Sequence, residues 1–493
     1  MKKIIYFLGI VFLSSIIILN LKYTAFLDNS EHIIFYNNSW LFNLGIVLVV
    51  IVINYIVSII NKKLNKKERS IQKKIVIIAL LIYLLVNILW VIFVNPKVVG
   101  DSVHVCNLAQ IFYKNDYSEM LFNSTYIDVT LYEYMQAYIH QIPLAFIFSI
   151  IFRLIHFDIM EVLRIINIIS NIAIVIGLYK IQLKLSSKYK TNMTLLFILI
   201  LTFFTLPLLN TFIYGDIPSL ALCIFAIYFI MCFTESHKMK YFIYTIFCTM
   251  LAYMMRMNSL IFIIGIIIYM LLNLFSEWNQ NNLKNNLKSI SLIFIFMITS
   301  IVPAVIIINY YSNKYNLDNT KNYPTISYIL MAMEESPRGN GWYNEEIAKE
   351  ALLNPDKARD EYPKHIYNRI SYFLENPSYT FEFYAKKVAS MWTENTYSAI
   401  QNNIRSDSDY IKNLVKPIEF YQKALLVLIC SSSLIVLIQN RKKLLLEIIL
   451  LLTAFVGGFA FHILWEAKSR YIIPYIIILI PIASIHINLR KQK

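Results

Sequence analysis

The chain has 493 residues, of which 58% are apolar and only 15% charged, with a mean hydropathy of +0.57. Soluble domains carry roughly 25% charged residues, so this balance excludes a soluble globular protein and points to an all-α polytopic membrane protein. The formal net charge of +15 does not indicate a nucleic-acid partner, because Lys and Arg gather in short connectors between apolar runs rather than along one stripe.

In chain order, the candidate spans read as residues 4–20, 40–60, 75–94, 160–183, 191–210, 214–233, 241–256, 258–275, 289–311, 421–438, 444–464 and 470–487. Runs of about 20 apolar residues each cross a hydrocarbon core of about 30 Å, so about twelve crossings are expected. Met1-Lys2-Lys3 precedes an apolar run that lacks a small-residue cleavage site, which reads as an uncleaved first span. Basic connectors set the orientation: Lys2 and Lys3, residues 61–69, Lys184 to Lys190, Lys238 with Lys240, Lys284 with Lys288, residues 441–443 and the tail 490–493 all fall on the cytoplasmic side. Residues 142–157 are short for a crossing and are interrupted by Arg153 and His156; counted as a span, they would invert every later connector. They read instead as a helix in the outer interface.

This gives both termini inside and a division into 1–74, a membrane core 75–311 with a first outer loop 95–159, a mostly helical outer region 312–420 and a C-terminal three-span region 421–493. Cys223, Cys232, Cys248 and Cys430 lie in apolar spans and Cys106 lies near Asp101. No spacing suggests a disulfide framework or a zinc site.

By the same alternation the unusual polar clusters share the outer face. They are Gly100-Asp101-Ser102, Tyr214-Gly215-Asp216, Arg256-Met257-Asn258, Trp392-Thr393-Glu394 and Trp465-Glu466-Ala467-Lys468-Ser469-Arg470. Two readings fit Asp101: a helix N-cap, or a general base at the bilayer edge that deprotonates an acceptor hydroxyl.

The order of these segments resembles the bacterial GT-C glycosyltransferases, in particular the protein mannosyltransferase-like (family 39-like) branch of Gram-positive bacteria. The resemblance is carried by the outer loop opening on Gly100-Asp101-Ser102, the Tyr-rich stretch from Tyr134 to Leu144, Tyr214-Gly215-Asp216 and Arg256-Met257-Asn258-Ser259. It continues in the turn Gly339-Asn340-Gly341-Trp342-Tyr343-Asn344 and in Trp465 to Tyr471. The animal and fungal enzymes open this loop with an Asp-Glu pair, whereas Ser102 follows Asp101 here. The resemblance implies a GT-C-like fold, a polyprenyl-phosphate sugar donor and Asp101 as the catalytic base.

Arg256, Lys468 and Arg470 suit the donor phosphate, since guanidinium forks and an ammonium match phosphate oxygens and stabilise the charge left when the sugar departs. Snorkelling at the interface is the competing reading for each. Tyr214 and Asp216 fall with the substrate in this scheme, although an acid opening a helix is also structural. Trp392 with Glu394 suits a sugar's apolar face and hydroxyls, or is a plain loop pair. Glu466 binds substrate or pairs with Lys468 or Arg470. His104 lies one turn from Asp101, where it shares a ligand or packs; no third ligand makes a transition-metal site.

No resident cofactor is expected; a divalent ion, Mg or Mn, on the donor phosphate is the one these residues leave room for. The function expected is a membrane hexosyl- or pentosyltransferase. It would move a sugar from a polyprenyl-phosphate donor to an envelope acceptor (glycolipid, wall polymer or protein) at the outer cell-membrane face, with surrounding membrane lipids as partners. The alternatives are a transporter or flippase, which would place ionisable groups near the bilayer midplane, and a polymerase or ligase of lipid-linked envelope glycans.

Overall fold

The computed structural model describes residues 1–28, 30–64, 69–94, 96, 98, 100–115, 129–155, 159–278, 283–404, 409–441 and 444–486. Parts of the basic connectors (65–68 and 442–443), Asn95, His156 and the basic tail lie outside the described residues.

The chain is an all-α membrane bundle with a small helical cap. Helix α1 (Lys2–Lys22) leads into an antiparallel hairpin, β1 (Tyr23–Leu27) and β2 (Ile33–Asn37), with Tyr23 opposite Asn37. Its turn is closed by Asp28 Oδ1, which accepts from the Ser30 and His32 amides, both at 2.8 Å. Helices α2 (Trp40–Leu64) and α3 (Arg69–Val94) follow, then α4 (Asp101–Lys114), α5 (Leu131–Ala137) and α6 (Ile142–Leu154). The apolar stretch read as interfacial is α6. It turns by 93° from α5 and is bound to α4 through Arg153 Nη2, which donates to the Phe112 carbonyl at 3.2 Å.

The bundle continues with α7 (Ile159–Ser186), α8 (Met193–Leu201), α9 (Thr205–Leu208), α10 (Asp216–Ser236), α11 (Met239–Met255), α12 (Leu260–Glu277) and α13 (Leu283–Lys314). The cap comprises α14 (Ile326–Met333), the short strands β3 (Glu335–Ser336) and β4 (Gly339–Asn340), α15 (Glu345–Leu353), α16 (Pro355–Glu375), α17 (Pro377–Trp392) and α18 (Ala399–Ile404). Helices α19 (Asp409–Gln439), α20 (Leu446–Leu464), α21 (Ile473–Ile477) and α22 (Ile480–Ala483) complete the chain.

Among the described residues ten helices are long and apolar enough to cross a membrane, or eleven if the α5–α6 pair is one bent span. Two of the expected crossings differ from a regular span. Helix α11 has 17 residues, short of a full crossing, and the described part of the last expected span, 470–486, forms a 3-10 turn followed by α21 and α22 rather than one helix. The stretch 191–210 is also broken, between α8 and α9, just ahead of Pro207. A break inside hydrocarbon leaves backbone groups that protein must satisfy. Gln422 Nε2 does so at the break, donating to the Thr202 carbonyl at 3.0 Å; at the end of α9 Asn171 Nδ2 donates to the Leu206 carbonyl at 2.9 Å and to Asn210 Oδ1 at 2.6 Å. Asn210 Nδ2 in turn donates to Asn87 Oδ1 at 2.6 Å, tying α3, α7 and the turn after α9 together.

The bundle has two chemically distinct ends. At one, Lys184 pairs with Glu235, Lys188 Nζ lies 2.6 Å from Glu447 Oε1, and the Asn192 amide donates to the Ser484 carbonyl. At the other lie the hairpin, α4, the cap and all the polar clusters singled out in the sequence. Two glycines shape this second end. Gly100 (φ 62) and Gly215 (φ 76) take left-handed turns ahead of α4 and α10, so each helix opens on an aspartate. At Gly215 a side chain is also excluded by packing, because a Cβ would lie 3.0 Å from the Met255 carbonyl oxygen.

Candidate active site

Gly100 occupies the N-cap place of α4, so the Asp101 carboxylate does not cap the helix. This corrects the capping reading of Asp101. Its oxygens accept hydrogen bonds from two phenols: Tyr134 Oη to Oδ1 at 3.0 Å and Tyr214 Oη to Oδ2 at 3.2 Å. Asp101 remains exposed beyond those bonds. Tyr134 arrives there through a capping box at the start of α5: the Glu133 amide donates to Thr130 Oγ1, and the Thr130 amide to Glu133 Oε2. Arg164 steadies the segment ahead of Asp101 by donating to the Pro96 carbonyl at 2.9 Å. His104 is buried against the Tyr134 ring, with centroids 4.3 Å apart. Burial lowers its pKa from 6.5, against the pull of Asp101.

Tyr214 joins the two halves of the site. Its hydroxyl accepts from Gln141 Nε2 while donating to Asp101. Burial, then the Asp101 charge, push its pKa well up, so it stays a protonated donor. The face of the same ring carries Arg256, whose Cζ is 4.6 Å from the centroid. Arg256 Nη2 lies 3.3 Å from Asp216 Oδ1, and Arg470 Nε lies 3.7 Å from that same oxygen. Arg470 also sits over the Phe212 ring at 4.0 Å. Asp216 Oδ2 and Arg470 Nε are buried with no hydrogen-bond partner among the described residues.

The Tyr214 ring therefore links the exposed carboxylate, at its hydroxyl, to Arg256, on its face, and Arg256 shares Asp216 with Arg470. Asp216, Arg256 and Arg470 also line one side-chain cleft. Leu220, Phe262, Ile473 and Tyr475 wall it with apolar surface from α10, α12 and α21.

The remaining sequence candidates lie around this centre. Lys468 Nζ is 3.9 Å from Glu31 Oε1 in the hairpin turn, and Glu31 is also paired with Arg338 of the cap. Burial lowers the pKa of Lys468, opposed by Glu31. Glu466 pairs with neither Lys468 nor Arg470. It is 6% exposed and takes no hydrogen bond or ion pair among the described residues, and burial raises its pKa against the pull of Lys468.

Trp392 is 1% exposed and packs on Phe455 and Phe459, with ring centroids 6.0 and 5.4 Å away. Glu394, also 1% exposed, accepts from the amides of Thr396 at 3.0 Å and Ser398 at 2.9 Å. Both therefore belong to a packed layer beneath Ser469, whose Oγ meets Ser398 Oγ at 2.9 Å. No group of three His, Cys, Asp or Glu side chains arranged to hold a metal occurs among the described residues.

The site also holds residues that the sequence alone did not single out. Gln141 and Arg338 have generic polar surroundings in sequence. Lys387 carried a usable signal, a lysine on the apolar stripe of α17 one turn from Phe383 and Met391. Lys423 is buried near the hairpin and donates to the Tyr23 carbonyl at 2.9 Å.

A family model for dolichyl-phosphate-mannose-protein mannosyltransferases matches residues 140–306. That is well under half of the chain, and it contains Tyr214, Asp216 and Arg256 but neither Asp101 nor the 465–470 turn. No curated protein and no solved structure matches the chain. Over the matched stretch the chain is similar to a family of membrane glycosyltransferases that draw on lipid-linked sugar donors.

Proposed function

We propose that this protein is a membrane glycosyltransferase that moves a sugar from a polyprenyl-phosphate donor to an acceptor hydroxyl at the extracytoplasmic face. The observation that carries the reading is the bridge through Tyr214, with Asp101 at its hydroxyl and Arg256 on its ring face. The donor phosphate meets Arg256 and Arg470 in the cleft, with Lys468 in the adjoining turn. Its isoprenoid chain follows the apolar walls toward the lipid. Asp216 holds both guanidinium groups in place before the donor arrives, so little reorganisation accompanies the reaction.

The acceptor hydroxyl approaches Asp101 from the exposed side. Its oxygen forms the new bond to the anomeric carbon as the bond from that carbon to the phosphate oxygen breaks. The proton passes to the Asp101 carboxylate, and the bond electrons pass to the phosphate, where the arginines stabilise the added charge. Tyr134 and Tyr214 orient the carboxylate. Displacement in one step inverts the anomeric configuration.

The positive-inside rule supports this sidedness, since Lys184 and Lys188 pair with Glu235 and Glu447 away from Asp101. The acceptor is an envelope glycolipid, wall polymer or protein. The test is transfer by the purified protein in lipid from a panel of radiolabelled polyprenyl-phosphate sugars to an envelope extract, with the product's anomeric configuration read by NMR. Transfer with inversion is the expected result. A retained configuration would remove the single-displacement mechanism, and no transfer from any donor would remove the function.

A further inference from the structure

We propose that Lys387 is a positioning residue that latches the cap onto the end of α20 and so holds the 465–470 turn against Asp216 and Glu31. The catalytic meaning of that turn rests on the glycosyltransferase reading, while the latch itself stands on geometry.

Lys387 is 0% exposed. Its Nζ donates to the carbonyls of Ala332 at 2.8 Å, Ile463 at 2.8 Å and Trp465 at 2.9 Å. An ammonium has three donors, and each finds one acceptor. Ala332 lies in the last turn of α14, Ile463 in the last turn of α20, and Trp465 just beyond it. Carbonyls at helix C-termini lack intrahelical partners and carry the negative end of the helix dipole. The lysine therefore sits where two such ends converge, one from the cap and one from the bundle. The neighbouring Lys386 behaves as a surface residue, 2.7 Å from Glu382. Burial pushes the Lys387 pKa down to about 7, with Glu466 opposing; the three carbonyls favour the ammonium as well.

The turn Gly339 to Asn344 is built around this lysine. Gly341 has φ 72, and a Cβ there would lie 2.6 Å from Lys387 Cδ and 2.9 Å from the Ala332 carbonyl oxygen. The Gly341 carbonyl accepts from the Ala467 amide at 2.7 Å. Glu466 is thus bracketed, with Trp465 held through its carbonyl by Lys387 and Ala467 through its amide by Gly341. Lys468 and Arg470 follow directly, facing Glu31 and Asp216. Burying a lysine is unfavourable unless every proton is used, and an apolar side chain would fill the same stripe of α17. The charge has a use if it fixes the register of the turn.

Backbone hydrogen exchange on the full-length protein in lipid nanodiscs tests the latch without relying on activity. In Lys387→Met, amides in 463–470 are expected to exchange at least about tenfold faster, from the loss of charge-assisted hydrogen bonds, and transfer kcat is expected to fall by at least about tenfold. Lys387→Gln keeps two donors and should be intermediate. Gly341→Ala forces a methyl onto the lysine and should match Lys387→Met, with the double variant no worse than either single one. If Lys387→Met fails to fold, the glutamine and Gly341 variants decide in the same way. Unchanged exchange over 463–470 in these variants would overturn the proposal, as would additive effects of the two positions. The expected exchange pattern in a protein that transfers no sugar would keep the latch and remove the glycosyltransferase reading.

Discussion

At the scale of single residues, the site depends on hydrogen bonds that converge on one carboxylate. Tyr214→Phe keeps the ring beneath Arg256 but removes the bond to Asp101 and the acceptor for Gln141. Hydrogen bonds to charged groups contribute about 1.5–3 kcal/mol, so kcat is expected to fall about ten- to a hundredfold. Steady-state transfer kinetics read this directly; an unchanged kcat would mean that Tyr134 alone orients Asp101. His104 gives a pH signature. Its pKa is lowered from 6.5 by burial, so it contributes stability that is present above 6.5 and is lost as pH falls through its folded-state value. His104→Gln is therefore expected to shallow the loss of thermal stability on acidification below about pH 6.5. An identical acid limb in the variant would contradict that assignment.

At the scale of elements, breaks in helices do as much as helices. The α8–α9 break carries a carbonyl, Thr202, that Gln422 satisfies, and the turn that ends α9 is held by Asn87, Asn171 and Asn210. Asn171→Ala is expected to destabilise the bundle by about 1–2 kcal/mol, the range for interhelical hydrogen bonds in membranes, seen as a lowered thermal midpoint in nanodiscs; no change would mean that the end of α9 is held by packing alone.

The span positions were legible because about 20 apolar residues in a row admit few other structures. The breaks were not, since the run 191–210 is apolar through its interruption, with Pro207 as the only local mark. The Gly-Asp openings of α4 and α10 were visible as motifs, yet their shared geometry needed the positive φ of each glycine. The pairings Lys468–Glu31 and Arg470–Asp216 join distant residues by folding alone, so they were not legible in the local sequence, which offered Glu466 as a partner only as the alternative to substrate binding. Trp392 and Glu394 read in sequence as a sugar-binding pair or a plain loop pair, and nothing local reveals that Phe455 and Phe459 cover the tryptophan.

At the scale of the whole molecule, polarity is sorted to the two ends of an apolar bundle. One end carries lysine connectors paired with Glu235 and Glu447; the other gathers the hairpin, the cap and the shared-aspartate arginine pair. Such sorting fits an enzyme at a lipid surface better than a transporter, whose ionisable groups lie near the midplane. Glu419 and Lys423 are buried ionisable residues of α19, and Lys423 bonds to the hairpin at the Asp101 end.

The central claim is that Asp101 takes the acceptor's proton while the arginines hold the donor. The most direct measurement compares wild type with Asp101→Asn in lipid, recording both transfer and the binding of a polyprenyl-phosphate sugar. Transfer lost by at least about a hundredfold with donor binding retained is the predicted result. Equal transfer by the two proteins would contradict the account.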